Sequence, residues 1–185
     1  REILESKIIV EECKTELKKE GKLFDKHMGV GIMVEIPSAA VLIKDFADEV
    51  DFVSIGTNDL IQYLLAVDRG NEIVSNIYQE FHPAVVRTLH HIISEGKKAG
   101  TMVSMCGEMA ADPFAVPLLI GLGLDSISVS ASAIPLLKKI IRSLSYKELQ
   151  SLAHECLVFK TEKEINNRLH DFFNQKLHEQ IKNLY

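Results

Sequence analysis

Six residues carry the chemistry this sequence offers. Glu35 closes an apolar run, Val30-Gly31-Ile32-Met33-Val34. Asn58 and Asp59 follow a second run, Asp51–Ile55, across Gly56-Thr57. Arg69 stands a short way beyond Asp59, and Cys106 and Glu108 follow a third run, Thr101–Met105. Glu35 and Asp59 are hard oxygen donors. A pair of carboxylates suits Mg²⁺, which keeps several waters and takes phosphate oxygens beside a few protein ligands. Gly56 permits a tight turn. The N–H groups of Asn58 and Asp59 would then lie at a helix N-terminus, an anion site. Arg69 could hold a phosphate as a planar fork donor. Cys106 offers a proton or a nucleophile, and Glu108 a carboxylate or a hydrogen-bonding partner. Each residue also has a plainer reading. Glu35 is an ordinary strand-end acid, Asp59 a helix N-cap, Arg69 a loop arginine and Cys106 a small packing residue. Spacing alone does not choose between these readings.

The elements that would gather these residues alternate regularly. A charged, amphipathic stretch over 2–20 reads as a surface helix ended by Gly21. Strands follow at Val30–Glu35, Asp51–Ile55, Thr101–Met105 and Asp125–Val129. Their near-continuous apolar character fits a parallel sheet buried on both faces. Helices are expected at Ala39–Ala47, Leu60–Leu65, Pro83–Ala99, after Asp112-Pro113, and at Ile134–Leu144. Gly121 and Gly123 should break the fourth of these. Asp68–Gln79 reads as a loop and His82 as a turn residue. Ser145-x-x-Glu148 and Thr161-x-x-Glu164 match capping boxes, predicting terminal helices near 146–158 and 161–182. In parallel α/β folds, ligands bind at the carboxyl ends of strands. Glu35, Asn58, Asp59, Cys106 and Glu108 all fall there, as do Ser128, Ser130 and Ser132. The seven histidines show no metal-ligand spacing and are assigned no chemistry. Gly121-Leu-Gly123 lacks the rest of a dinucleotide fingerprint.

Composition narrows the class. The chain has 185 residues and a net charge of −5. That mild acidity disfavours nucleic acid as a partner. No window is apolar enough to span a bilayer, and the start resembles no signal peptide. Three cysteines, widely spaced and without CxxC, suit free thiols in a reducing cytoplasm. A complete (β/α)8 barrel takes about 250 residues. The four βα units between residues 30 and 144 use about 29 residues each, so eight would need about 230. With Arg1 opening inside a helix, the expected fold is α/β with a parallel sheet plus C-terminal helices, in one domain over 1–185, with 145–185 as the terminal helices.

The blocks GIMVEIPSAA (31–40), SIGTNDLIQYLLAVDRGN (54–71), FHPAVVRTL (81–89), SMCGEMAADP (104–113) and GLGLDSISVSASAIP (121–135) resemble Enzyme I of the bacterial sugar phosphotransferase systems, the phosphoenolpyruvate–protein phosphotransferases. They stand in family order. Pyruvate phosphate dikinase and phosphoenolpyruvate synthase share relatives of the first, second and fourth blocks, and remain an alternative. The resemblance implies transfer of the phosphoryl group of phosphoenolpyruvate to an enzyme histidine and on to a histidine phosphocarrier protein, with release of pyruvate. It implies Mg²⁺ on Glu35 and Asp59, phosphoenolpyruvate on Asn58, Asp59 and Arg69, and Cys106 as proton donor to the enolate carbon. It also implies a homodimer, and that these are the last four βα units of a TIM-type barrel. The family's phosphorylated histidine lies in a Gly-rich Thr-Ser-His segment of an N-terminal domain, and no such segment occurs here. The resemblance therefore implies a fragment that is inactive alone. A non-catalytic binding or dimerisation module is the reading from another class.

Overall fold

The computed structural model describes residues 1–176. Its centre is a parallel sheet of β1 (Gly31–Val34), β2 (Phe52–Gly56), β3 (Met102–Cys106) and β4 (Ser126–Ile127). The strands lie side by side in chain order. Val34 is opposite Ile55, Gly56 opposite Cys106, and Met105 opposite Ile127. Doubly wound sheets reverse their strand order at a switch point, whereas a (β/α)8 barrel does not. Sequential order is thus the arrangement of consecutive barrel strands.

Burial alternates along the strands. Val34, Val53, Ile55, Val103 and Met105 are buried under helices. On the other face Met33 is 51% and Met102 48% exposed, beside half-buried Ser54, Ser104 and Cys106. The expectation of a sheet buried on both faces is therefore corrected: within this chain only one face is covered. Serines, a cysteine and methionines share the open face, the one that faces inward in a barrel.

The helices are α1 (Glu2–Lys19), α2 (Pro37–Val41), α3 (Ile43–Ala47), α4 (Thr57–Leu65), α5 (Pro83–Ala99), α6 (Ala115–Leu122), α7 (Ile134–Ser143), α8 (Tyr146–Val158) and α9 (Glu162–Lys176). Several bounds differ from expectation. The helix expected over Ala39–Ala47 is two short ones, started at Pro37 in the first turn and broken at Leu42, whose ψ of 13° leaves the helical range. A 3₁₀ turn, Glu108–Ala111, precedes α6. α6 runs through Gly121 and stops at Gly123, whose φ is +98°. The fourth strand shortens to two residues; at its start Asp125 Oδ2 accepts a hydrogen bond from the Val103 N–H at 2.9 Å, while the Asp125 N–H donates to the Val103 carbonyl at 3.1 Å. Ser75–Ile77 adds a 3₁₀ turn within the expected loop. His82 is the N-cap of α5, its Nδ1 accepting from the Ala84 N–H at 3.1 Å. α1 buries none of its residues.

Both capping boxes form. Ser145 and Glu148 bond reciprocally at the start of α8. Thr161 Oγ1 accepts from the Glu164 N–H at 3.3 Å, while the Glu164 carboxylate accepts from the Thr161 N–H at 2.9 Å. The part of the expected 161–182 helix beyond Lys176 lies outside the described residues. One continuous core joins the covered sheet face to α5, α6, α8 and α9. No helix among the described residues is long and apolar enough to cross a membrane.

A single cation ties α8 to α5. The Arg87 guanidinium donates to the carbonyls of Leu157 at 3.3 Å and Phe159 at 3.0 Å, where α8 leaves carbonyls without helical partners. Arg87→Ala is expected to lower stability by about 1 kcal/mol, a charge-assisted bond discounted for solvent exposure. Arg87→Lys should recover less than half of this, because an ammonium lacks the fork. Urea denaturation of the three chains checks it.

Candidate functional site

The carboxyl ends of β1, β2 and β3 make one rim. β2 runs directly into α4. Gly56 is the N-cap, so Thr57, Asn58 and Asp59 form the first helical turn. This corrects the reading of 57–59 as a turn before a helix at Leu60. The first N–H groups of a helix have no internal partner, so the amides of this turn face outward as donors. Asp59 is not the cap but the third helical residue, where an acid is favourable toward the helix dipole.

Two hydrogen bonds lock this turn to the end of β3. The buried Thr57 hydroxyl donates to the Cys106 carbonyl at 3.0 Å. Asn58 Oδ1 accepts from the Glu108 N–H at 3.0 Å. Gly107 between them sits at φ +101° and ψ −179°, a conformation essentially restricted to glycine. A Cβ there would strike the Thr57 hydroxyl and stand 2.9 Å from Asn58 Oδ1.

Glu35 enters from β1. A Cβ on Gly56 would lie 3.0 Å from Glu35 Oε2, so its carboxylate rests against the first turn of α4. Unlike Asn58 and Glu108, which are engaged, the carboxylates of Glu35 and Asp59 have no hydrogen-bond or ion-pair partner among the described residues. As free, half-buried oxygen donors they fit a hard divalent cation. The described residues hold no cluster of three His, Cys, Asp or Glu that would supply a full protein cage. A cation here would therefore draw its other ligands from water and substrate oxygens.

Arg69 reaches the same rim. Its Nη1 is 3.9 Å from Glu108 Oε1, with both side chains largely in solvent, and its N–H donates to Gln62 Oε1 at 3.2 Å. Ser54 Oγ donates to the Cys106 thiol at 3.8 Å, and the thiol donates to the Ile55 carbonyl at 3.6 Å. Cys106 is half-buried on the open face, whereas Cys13 is exposed on α1 and Cys156 is buried. Burial pushes the Cys156 thiol up to about 12, which suits a packing role. Ser130 and Ser132 pair with each other at 3.1 Å, exposed, and do not join this network.

Sequence reasoning left out Tyr78. Its hydroxyl donates to the Asn58 carbonyl at 3.2 Å and so braces the turn from the far side. Its phenol is raised to about 12, by burial first, then by Glu80, with Arg69 opposing and Glu108 and Asp59 adding. Glu80 and Asp112 are both raised as well. Burial leads in each, and Asp112 and then Glu108 add at Glu80. A loop residue bracing a helix start from twenty positions away leaves no periodic signal. Thr57 could have been found as a hydroxyl inside an apolar stretch.

The Glu80 shift has a stability consequence. A carboxyl raised in the native state favours folding below the ordinary carboxylate pKa and loses that contribution as pH rises through the raised value. Glu80→Gln is thus expected to stabilise the chain at pH 7, where the raised carboxyl is forced to ionise, and to change little at pH 3. Denaturation midpoints at the two pH values test it.

A family model described as the PEP-binding domain of PEP-utilising enzymes matches residues 1–146, and the chain belongs to that family. Among curated relatives it is 47% identical over 92% of its length to the phosphoenolpyruvate-protein phosphotransferase of Haemophilus influenzae. It is 48% identical over 89% to that of Bacillus subtilis, and 44% over 94% to that of Mycoplasma capricolum. The chain spans only 30%, 29% and 30% of the length of these three relatives.

Proposed function

We propose that the chain is the C-terminal part of the barrel domain of a phosphoenolpyruvate–protein phosphotransferase and supplies half of its substrate site. The observation that carries this reading is the bonding of α4's first turn to the end of β3. It joins a helix start to the rim where two carboxylates, an arginine and a thiol also lie, which supports an anion and cation site there. The N-terminal phosphohistidine and phosphocarrier-binding domains would lie outside this chain. The histidine phosphocarrier protein would meet the enzyme there. The open sheet face and the unpaired edges of β1 and β4 support association, with further barrel strands and in a homodimer.

Phosphoryl transfer needs mainly positioning and charge neutralisation. The amides of Asn58 and Asp59 and the Arg69 guanidinium bind and orient the phosphate of phosphoenolpyruvate. Glu35 and Asp59 would hold Mg²⁺, which when bound neutralises phosphate charge and stabilises negative charge on the leaving oxygen. The phosphorus–oxygen bond breaks as the phosphoryl group passes to the enzyme histidine. The Cys106 thiol gives its proton to the enolate carbon, leaving pyruvate and a thiolate. The Ser54 hydroxyl, already a donor to this sulfur, would stabilise that thiolate.

The test is a chimera in which this chain replaces the matching 29% of the Bacillus subtilis relative. Phosphoenolpyruvate- and Mg²⁺-dependent phosphorylation of the chimera, with pyruvate release, is expected. A folded chimera that binds neither ligand would overturn the reading. Within it, Cys106→Ser should slow pyruvate release by about 100-fold, the low end of general-acid catalysis, and phosphorylation by less than tenfold. Equal loss of both would remove the proton-donor role.

A further inference from the structure

A polar cavity lies at the end of the sheet opposite the rim, where the strands begin. α5 ends in Lys97 and Lys98 just before β3, and α6 ends at Gly123 just before β4. α8 closes the third side. The cavity measures about 380 Å³, lined by His90, Ser94, Lys97 and Lys98 from α5 and by Tyr146 and His154 from α8. None of its lining residues is acidic, although the chain carries more Asp and Glu than Lys and Arg.

The acids of the surrounding helices are already matched. Glu95 pairs with Lys98 at 2.6 Å, Glu148 with Lys176 at 2.6 Å, and Glu155 with Arg168 at 2.5 Å. These are all the acids of α5 and α8, and α6 carries no titratable side chain. Lys97 has no such partner among the described residues. A Cβ on Gly123 would stand 2.7 Å from Lys97 Nζ, so the glycine leaves the ammonium its place. The proton affinity of His90 is pushed down by burial first, then by His154, His91 and Lys98. The cavity thus holds one ammonium, Lys97, that no carboxylate among the described residues matches, beside Lys98, which Glu95 pairs.

We propose that this cavity binds phosphate or a small phosphomonoester, at a site separate from the rim. Its volume is within the range of small-molecule sites. Lys97, the remaining N–H groups of Lys98, the imidazoles of His90 and His154 and the hydroxyls of Ser94 and Tyr146 offer more donors than one carboxylate can accept. Compensation of the α5 dipole explains lysines in its last turn, but not Tyr146 and His154 arriving from another helix.

The test follows the ring-proton shifts of His90 and His154 while inorganic phosphate is added to the chain at pH 7 and constant ionic strength. Saturable shifts at both rings, at millimolar phosphate or below, are expected, weakened at least fivefold by Lys97→Gln. Shifts that stay linear, that match those of exposed His27, or that survive Lys97→Gln unchanged would overturn the proposal. Equal affinity for acetate would overturn the assignment to phosphate.

Discussion

Gly121→Ala is expected to destabilise the chain by about 3 kcal/mol, the upper part of the range for overpacking. The new methyl would fall directly on the Leu149 carbonyl, with Ala153 Cβ 3.0 Å away. The obstacle is α8 backbone rather than the end of a flexible side chain, so relief requires the two helices to separate. That separation would open the core where Leu118, Leu119, Leu152 and Ala153 are all essentially buried. Alanine is a better helix former than glycine by about 1 kcal/mol, which offsets only part of the clash. For a chain of this size the loss corresponds to a fall in Tm of roughly 6–12 °C. Thermal denaturation measures it directly. A midpoint within a degree or two of the parent would mean that α6 and α8 slide apart without cost.

Asp59→Asn, in the same chimera, is expected to cut phosphoenolpyruvate-dependent phosphorylation by about 1,000-fold, equivalent to about 4 kcal/mol of lost transition-state stabilisation. The change keeps shape and removes charge. Asn58, Thr57 and Tyr78 would still hold the turn through the Glu108 amide, the Cys106 carbonyl and the Asn58 carbonyl, so the amides proposed to bind the phosphate keep their place. What is lost is one of the two carboxylates proposed to hold Mg²⁺. Losing an acid from the first turn of α4 costs stability by at most about 1 kcal/mol, so the variant stays folded. Weaker Mg²⁺ binding should accompany the loss, read by titrating Mg²⁺ at fixed phosphoenolpyruvate. Full activity with unchanged Mg²⁺ dependence would take Asp59 out of the site.

Much of the fold was legible because its signals are local. Apolar runs punctuated by glycine and proline marked four strands, and their alternation with helices implied a parallel sheet. The parallel order alone placed Glu35, Asp59 and Cys106 at the same ends of neighbouring strands. Capping boxes at Ser145 and Thr161 marked helix starts to within a residue. Boundaries were less secure at strand ends, as at the start of the fourth strand, where Asp125 bonds Val103 through both its side chain and its N–H.

Three features were decided only by tertiary structure. The sheet buries one face, not two, because the helices that share its core pack on one side, and an apolar strand reads alike either way. Gly121 looked like a helix break, but its role is to let the Leu149 carbonyl approach, a contact between residues 28 positions apart. The rim is held by Thr57 on the Cys106 carbonyl, Tyr78 on the Asn58 carbonyl and Gly107 in a glycine-only conformation. Residue types and spacing determine which elements form and which strand ends carry polar groups, since periodicity and caps act within a few residues. Which carboxylates stay free, and which amides face outward, depends on contacts across 20 to 50 positions, and these exist only once the sheet has assembled.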